Sequence, residues 1–155
     1  MPESFRTKLK RLSFNFFPAY FGTGAWISYI ADDFHELHLE IPLSWRTRSY
    51  VGTIFGGSMF ASVDPILMVL FIRILGSNYI VWDKAATIRF KRPGKETLFA
   101  KFLISAAEIA EIKAELEMRK SLDRVYRIEL TNRAGKVHAI IEKTIYFAKK
   151  DKNKE

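Results

Sequence analysis

A chain of 155 residues with 48% hydrophobic and 14% aromatic side chains carries too much apolar material to stay disordered, and it is long enough for one domain with a sizeable core. It contains no cysteine, which excludes disulfides, thiolate metal centres and cysteine nucleophiles. Its 25 basic against 17 acidic residues give a net charge of +8, a balance that suits nucleic acid, anionic lipid or a phosphorylated small molecule without choosing among them.

The opening residues "MPESFRTKLKRL" show neither the apolar core nor the cleavage site of a secretory signal. The longest apolar run, 65–72, ends at Arg73 and is far short of a bilayer span. A cytoplasmic protein without a transmembrane segment is expected. Phe5, Leu9 and Leu12, followed by Phe14, Phe16 and Phe17, predict an amphipathic helical extension over residues 1–20 that ends near Pro18. A basic, aromatic helix of this kind packs its rings on the domain or lies on a membrane; packing is the expectation.

From Ala25 the pattern turns to strands. "AWISYIA" is rich in aromatic and β-branched residues. In 33–43, Leu37, Leu39, Ile41 and Leu43 alternate with Glu36, His38 and Glu40. His35 and His38 fall on opposite faces of such a strand, which argues against a paired-histidine metal site. Residues 58–75 are apolar nearly all round and close on Gly76, so they predict a buried helix, kinked at Pro65.

The next segment, 78–94, reads as a long strand with Ala86, Ile88 and Phe90 on one face and Thr87, Arg89 and Lys91 on the other. A regular strand turns Asp83 away from the helix side, so an exposed Asp83–Lys84 charge pair is expected. Only a bulge or a dimer interface would bring Asp83 in. After Pro93-Gly94, Leu98, Ala100, Phe102 and Ile104 mark another strand, and Ile109, Ile112 and Leu116 a surface helix. Residues 124–149 form a hairpin through the turn "NRAG", followed by a basic, disordered tail over 149–155. This is the element order of an α+β domain, a curled antiparallel sheet of about six strands around one long central helix, within a single domain over 1–155. Such a sheet covers the helix only partly, so self-association is expected.

The stretch "GTIFGGSMFASVD" (52–64), a glycine pair followed by an acidic residue within an apolar helix, and the strand-to-turn segment "TIRFKRPG" (87–94) together resemble the hotdog fold, specifically thioesterases of the phenylacetyl-CoA type. More narrowly, "YVGTIFGGSMFASVDP" with "VWDKAATIRFKRPG" looks like a hotdog branch known only as a domain of unknown function. The resemblance implies a catalytic pair: Gly56, whose backbone N–H polarises the thioester carbonyl, and Asp64 as general base or nucleophile. Relatives of this type carry histidine where this chain has Phe55, an amide where it has Ser49, and a hydroxyl residue where it has Asp83. Thr53, Gly57, Met59 and Phe60 complete the substrate-binding candidates with those three positions.

The chemistry suits the pattern. N–H groups at a helix start lack intrahelical acceptors and favour a developing oxyanion. A carboxylate in an apolar segment is retained for chemistry or caps the helix restarting at Pro65. Arg89, Lys91, Arg92 and Lys95 either meet coenzyme A phosphates or form a solvated strand end. Two activities stay open, an acyl-CoA thioesterase and a non-catalytic acyl-thioester binder, each without metal or cofactor and as a homodimer or homotetramer. A dehydratase is disfavoured because His35, His38 and His138 lie outside the motif. A nucleic-acid module lacks its aromatic platform or recognition helix.

Overall fold

The computed structural model describes residues 3–150. Its elements are α1 (Phe5–Asn15), α2 (Pro18–Phe21), β1 (Trp26–Ile30), β2 (Glu36–Ile41), α3 (Gly56–Val63), α4 (Ile66–Leu75), β3 (Tyr79–Phe90), β4 (Leu98–Leu103), α5 (Ala106–Met118), β5 (Ser121–Thr131) and β6 (Val137–Lys149). The strands form one six-stranded antiparallel sheet in the order β1-β2-β4-β5-β6-β3. Lys149 is thus the last residue of β6, and residues 151–155 of the expected tail lie outside the described residues.

Strand alternation places the core. Leu37, Leu39 and Ile41 of β2 stand opposite Phe102, Ala100 and Leu98 of β4, and all six are buried. Met59, Val63, Ile66, Leu67, Leu70 and Phe71 of the helix pair α3–α4 are buried in the same cluster, as are Ile109, Ile112 and Leu116 of α5. The apolar circumference of the central helix predicts burial all round, but its outer side is partly open, with Ile72 43% exposed. Taken through Pro65, Gly56–Leu75 is long and apolar enough to cross a membrane by length and composition. Half of it packs into the core instead, as the helix of a soluble fold does.

The expected kink is a break. Pro65 supplies no N–H, so α3 stops at Val63 and α4 resumes at Ile66. Asp64 and Pro65 both keep right-handed helical angles, and the two helices run on as one rod.

Helix α1 meets the expected packing only in part: Phe14 packs against the core beside Tyr20, but the rest of the inner face is polar. It buries Thr7, Arg11 and Asn15, while Phe5, Leu9 and Phe16 are 77%, 51% and 62% exposed. The cause is the edge of β1. Asn15 Oδ1 accepts from the Ile27 N–H at 2.8 Å, and Asn15 Nδ2 and Arg11 Nη1 donate to the Ile27 carbonyl at 2.9 and 3.2 Å. Edge backbone groups need polar partners, and this helix supplies them from its inner face. Glu3 balances the buried guanidinium at 2.7 Å.

Candidate functional site

The two sequence motifs meet in space. Ile54 donates its N–H to the Gly94 carbonyl at 2.8 Å, and Phe55 donates to Thr47 at 2.7 Å, which ties the loop before α3 to the Pro93-Gly94 turn. Phe55 occupies the N-cap of α3 and offers no side-chain hydrogen bond, so no capping side chain competes for the first N–H groups of the helix. A cleft of about 450 Å³ opens there, lined among others by Ser49, Thr53, Gly56, Met59, Lys91 and Arg92. Gly56 lets the Phe90 ring come close: a Cβ at this position would sit 2.8 Å from the tip of that half-exposed ring.

A second cluster lies further along the helix. Lys143 of β6 is fully buried, and its ammonium donates to both the backbone carbonyl and Oδ1 of Asp64, the latter at 2.7 Å. The same ammonium stands 2.9 Å from Asp83 Oδ1. Apart from this ammonium, the buried oxygen has no polar partner among the described residues. Asp64 remains 44% exposed at its side chain. The alternative of a helix cap is not met, because the start of α4 has no side-chain cap hydrogen bond.

A bulge brings Asp83 in. The β3–β6 register shifts between Asp83 and Ala85. Before it, Val81 and Asp83 oppose the inward Phe147 and Ile145; after it, Ala86 and Ile88 oppose Lys143 and Ile141. One extra residue switches the strand's parity. The expected Asp83–Lys84 pair is therefore corrected: Asp83 turns inward to Lys143, and Lys84 reaches across the sheet to Asp123 at 2.5 Å.

Burial pushes the Asp83 carboxyl above its ordinary pKa, Lys143 pulls it back, and the Asp64 charge pushes it up again. Folded Asp83 thus holds its proton more tightly than the unfolded chain does. Its contribution to stability is complete below the ordinary carboxylate range and is lost as pH rises through the raised value. In urea titrations the wild type should gain stability relative to Asp83→Asn as pH falls through that window. Parallel stability–pH curves for the two proteins would contradict this assignment.

The single chain does not unite the two clusters. Asp64 follows Gly56 by eight residues, and at the helical rise this is about 12 Å, too far to reach one carbonyl. Phe55, Gly57, Phe60, Arg89 and Lys95 do not line the cleft. Phe55 is 58% exposed and Phe60 packs against the core. Lys91 and Arg92 do line the cleft, although Arg92 also donates to the Val137 carbonyl at 2.6 Å. His138 sits below the turn with Nδ1 3.0 Å from the Pro93 carbonyl. Lys143 is the residue that sequence reasoning passed over. Its signal was present: a lysine in phase with Ile141, Ile145 and Phe147 on an inward face.

Residues 6–147, nearly the whole of this fold and both clusters, match the family model described as Domain of unknown function (DUF4442). The chain belongs to the DUF4442 family. Over 97% of both chains, this DUF4442 protein is similar to PA5026 of Pseudomonas aeruginosa, a protein of unknown function described as a probable thioesterase, with TM-score 0.83 and 20% identity. It is similar to the thioesterase PA1618 of the same organism over 92% of this chain and 94% of that one, with TM-score 0.67 and 14% identity. The thioesterase HI1161 of Haemophilus influenzae matches 92% of this chain with 91% of its own, TM-score 0.65 and 14% identity. No curated protein matches the DUF4442 chain in sequence. At these identities the likeness is one of fold, and the fold is the hotdog fold, as the six-stranded sheet and central helix lead one to expect.

Proposed function

We propose that this DUF4442 protein is an acyl-CoA thioesterase whose site is completed by a second copy of the chain. The observation that carries this is Asp64: a carboxylate on an apolar helix, held through Oδ1 by a buried lysine, with its side chain still open to solvent. In this reading Asp64 takes a proton from water as the water oxygen bonds to the thioester carbonyl carbon. The carbonyl oxygen becomes anionic against the free N–H groups at Gly56 and Gly57. Collapse breaks the carbon–sulfur bond, and the departing thiolate takes the proton back from Asp64, leaving acid and thiol. Direct attack by the carboxylate is the other route open to the same residue.

The separation of Gly56 from Asp64 along one rod requires a partner. Strand β3 is twelve residues long and ends the sheet, and no described strand pairs with its outer edge. Antiparallel pairing of two such edges about a two-fold axis runs the Asp83 end of one strand along the Phe90 end of the other. Asp64 of one copy then approaches the cleft of its partner. Lys91 and Arg92, with Arg89 and Lys95 exposed beside them, suit the phosphates of coenzyme A. Ser49, Thr53 and Met59 line the thioester's path, and a cytoplasmic location fits a cysteine-free chain.

The test is thiol release from an acyl-CoA panel, read with a thiol reagent. A chain with no cysteine contributes no background of its own. A second reading, a non-catalytic acyl-thioester binder, is favoured by Phe55, a solvent-exposed ring without a hydrogen-bonding group at the helix start. Ligand-dependent thermal stabilisation without thiol release would decide for it. Gly56→Ala should lower kcat/KM roughly tenfold by disturbing the oxyanion donors, with little loss of Tm, because the crowded Phe90 ring is 55% exposed and free to swing out. Gly56→Ala/Phe90→Ala should recover part of the loss. A collapse in Tm would mean that Gly56 serves packing alone.

A further inference from the structure

We propose that α1 is a docking helix for anionic lipid surfaces. Its stripe Phe5, Leu9 and Phe16 recurs at helical spacing on the outer side, more than half exposed at every position. The inner side already has its partners, Arg11 and Asn15 on the β1 edge and Phe14 against the core, so the outer stripe is not a core face that missed its partner. It continues into Phe17, 62% exposed, and Phe21, which carries the Arg46 guanidinium 4.3 Å above its ring. Trp45, next to that arginine, is 88% exposed.

Charge selects the occupant. At 100° per residue, Arg6 and Lys8 fall on opposite flanks of the stripe, and Phe5–Asn15 contains no acidic residue. Two copies meeting through this face would set cation against cation with nothing to compensate. An anionic bilayer turns the same charges into attraction while the rings enter the interfacial layer. Exposed aromatics flanked by Lys and Arg, with the opposite side committed to hydrogen bonds, are the features of a helix that lies in a membrane surface.

The experiment is flotation of the full chain with phosphatidylcholine vesicles, with and without about 30% phosphatidylglycerol. Wild type should float with the anionic vesicles only, and about 0.5 M salt should release it. Phe5→Ser/Leu9→Ser/Phe16→Ser should keep the wild-type Tm and bind roughly tenfold more weakly or worse. Arg6→Glu/Lys8→Glu, which leaves the stripe intact, should lose the preference for anionic lipid. Wild type that stays with neither vesicle overturns the proposal, as does a stripe variant that floats like wild type. If wild type does not float and the stripe variant sediments as a smaller species, a second copy covers the face and the proposal fails. None of these readouts depends on thioester hydrolysis.

Discussion

Asp64→Asn should lower thioester turnover by about a hundredfold or more, the range in which a positioned general base contributes, while leaving the far-UV spectrum and Tm close to wild type. Asparagine keeps the shape and can still accept from Lys143 but has no basicity. Turnover equal to wild type would remove Asp64 from the reaction. The shared-site arrangement adds a sharper result. Asp64→Asn and Gly56→Ala damage opposite halves, so co-refolded mixtures should contain mixed dimers with one intact site. With random pairing this restores about a quarter of wild-type sites. Mixtures no more active than their parents would mean that the two halves do not cooperate across an interface.

Lys143→Met should be the most damaging substitution for stability. It leaves Asp64 and Asp83 facing each other without a counter-charge, and breaking a buried pair in this way costs about 3 kcal/mol or more. The lower end applies because the Asp64 and Asp83 side chains are 44% and 25% exposed and water supports them in part. The triple variant Lys143→Met/Asp64→Asn/Asp83→Asn should recover much of the loss, since removing all three charges leaves nothing unpaired. Urea unfolding of wild type, the single variant and the triple variant reads both effects. A Lys143→Met protein as stable as wild type would show that the ammonium is energetically idle.

The strands and helices were legible because each apolar pattern matches one period. Leu98, Ala100, Phe102 and Ile104 alternate in the sequence and are buried in the structure, and Ile109, Ile112 and Leu116 keep helical spacing and do the same. What failed were features set by an exception to the period. Asp83 was read outward because a regular strand was assumed, and the bulge at Lys84 reversed it. Phe14 packs inward as apolar residues prefer, but Phe5, Leu9 and Phe16 do not. An unsatisfied strand edge outbid them, since it needs hydrogen bonds that phenylalanine cannot make. Gly56 and Asp64 were named from the sequence, and eight residues on one helix already set them two turns apart. Lys143 went unnoticed because a single lysine in a hairpin reads as solvated until its phase with Ile141 and Ile145 is considered.

The hydrogen bonds from Arg11 and Asn15 to Ile27 also bear on how far assembly can run. A sheet with two bare margins can add copies without end and grow into a fibre. Here one margin is occupied by the chain's own first helix, which leaves a single margin for strand addition. The proposed like-with-like pairing there would use up the one edge left open among the described strands, so strand addition would stop at two. Removing the helix would restore the second end, and with it the route from a closed pair to an open filament.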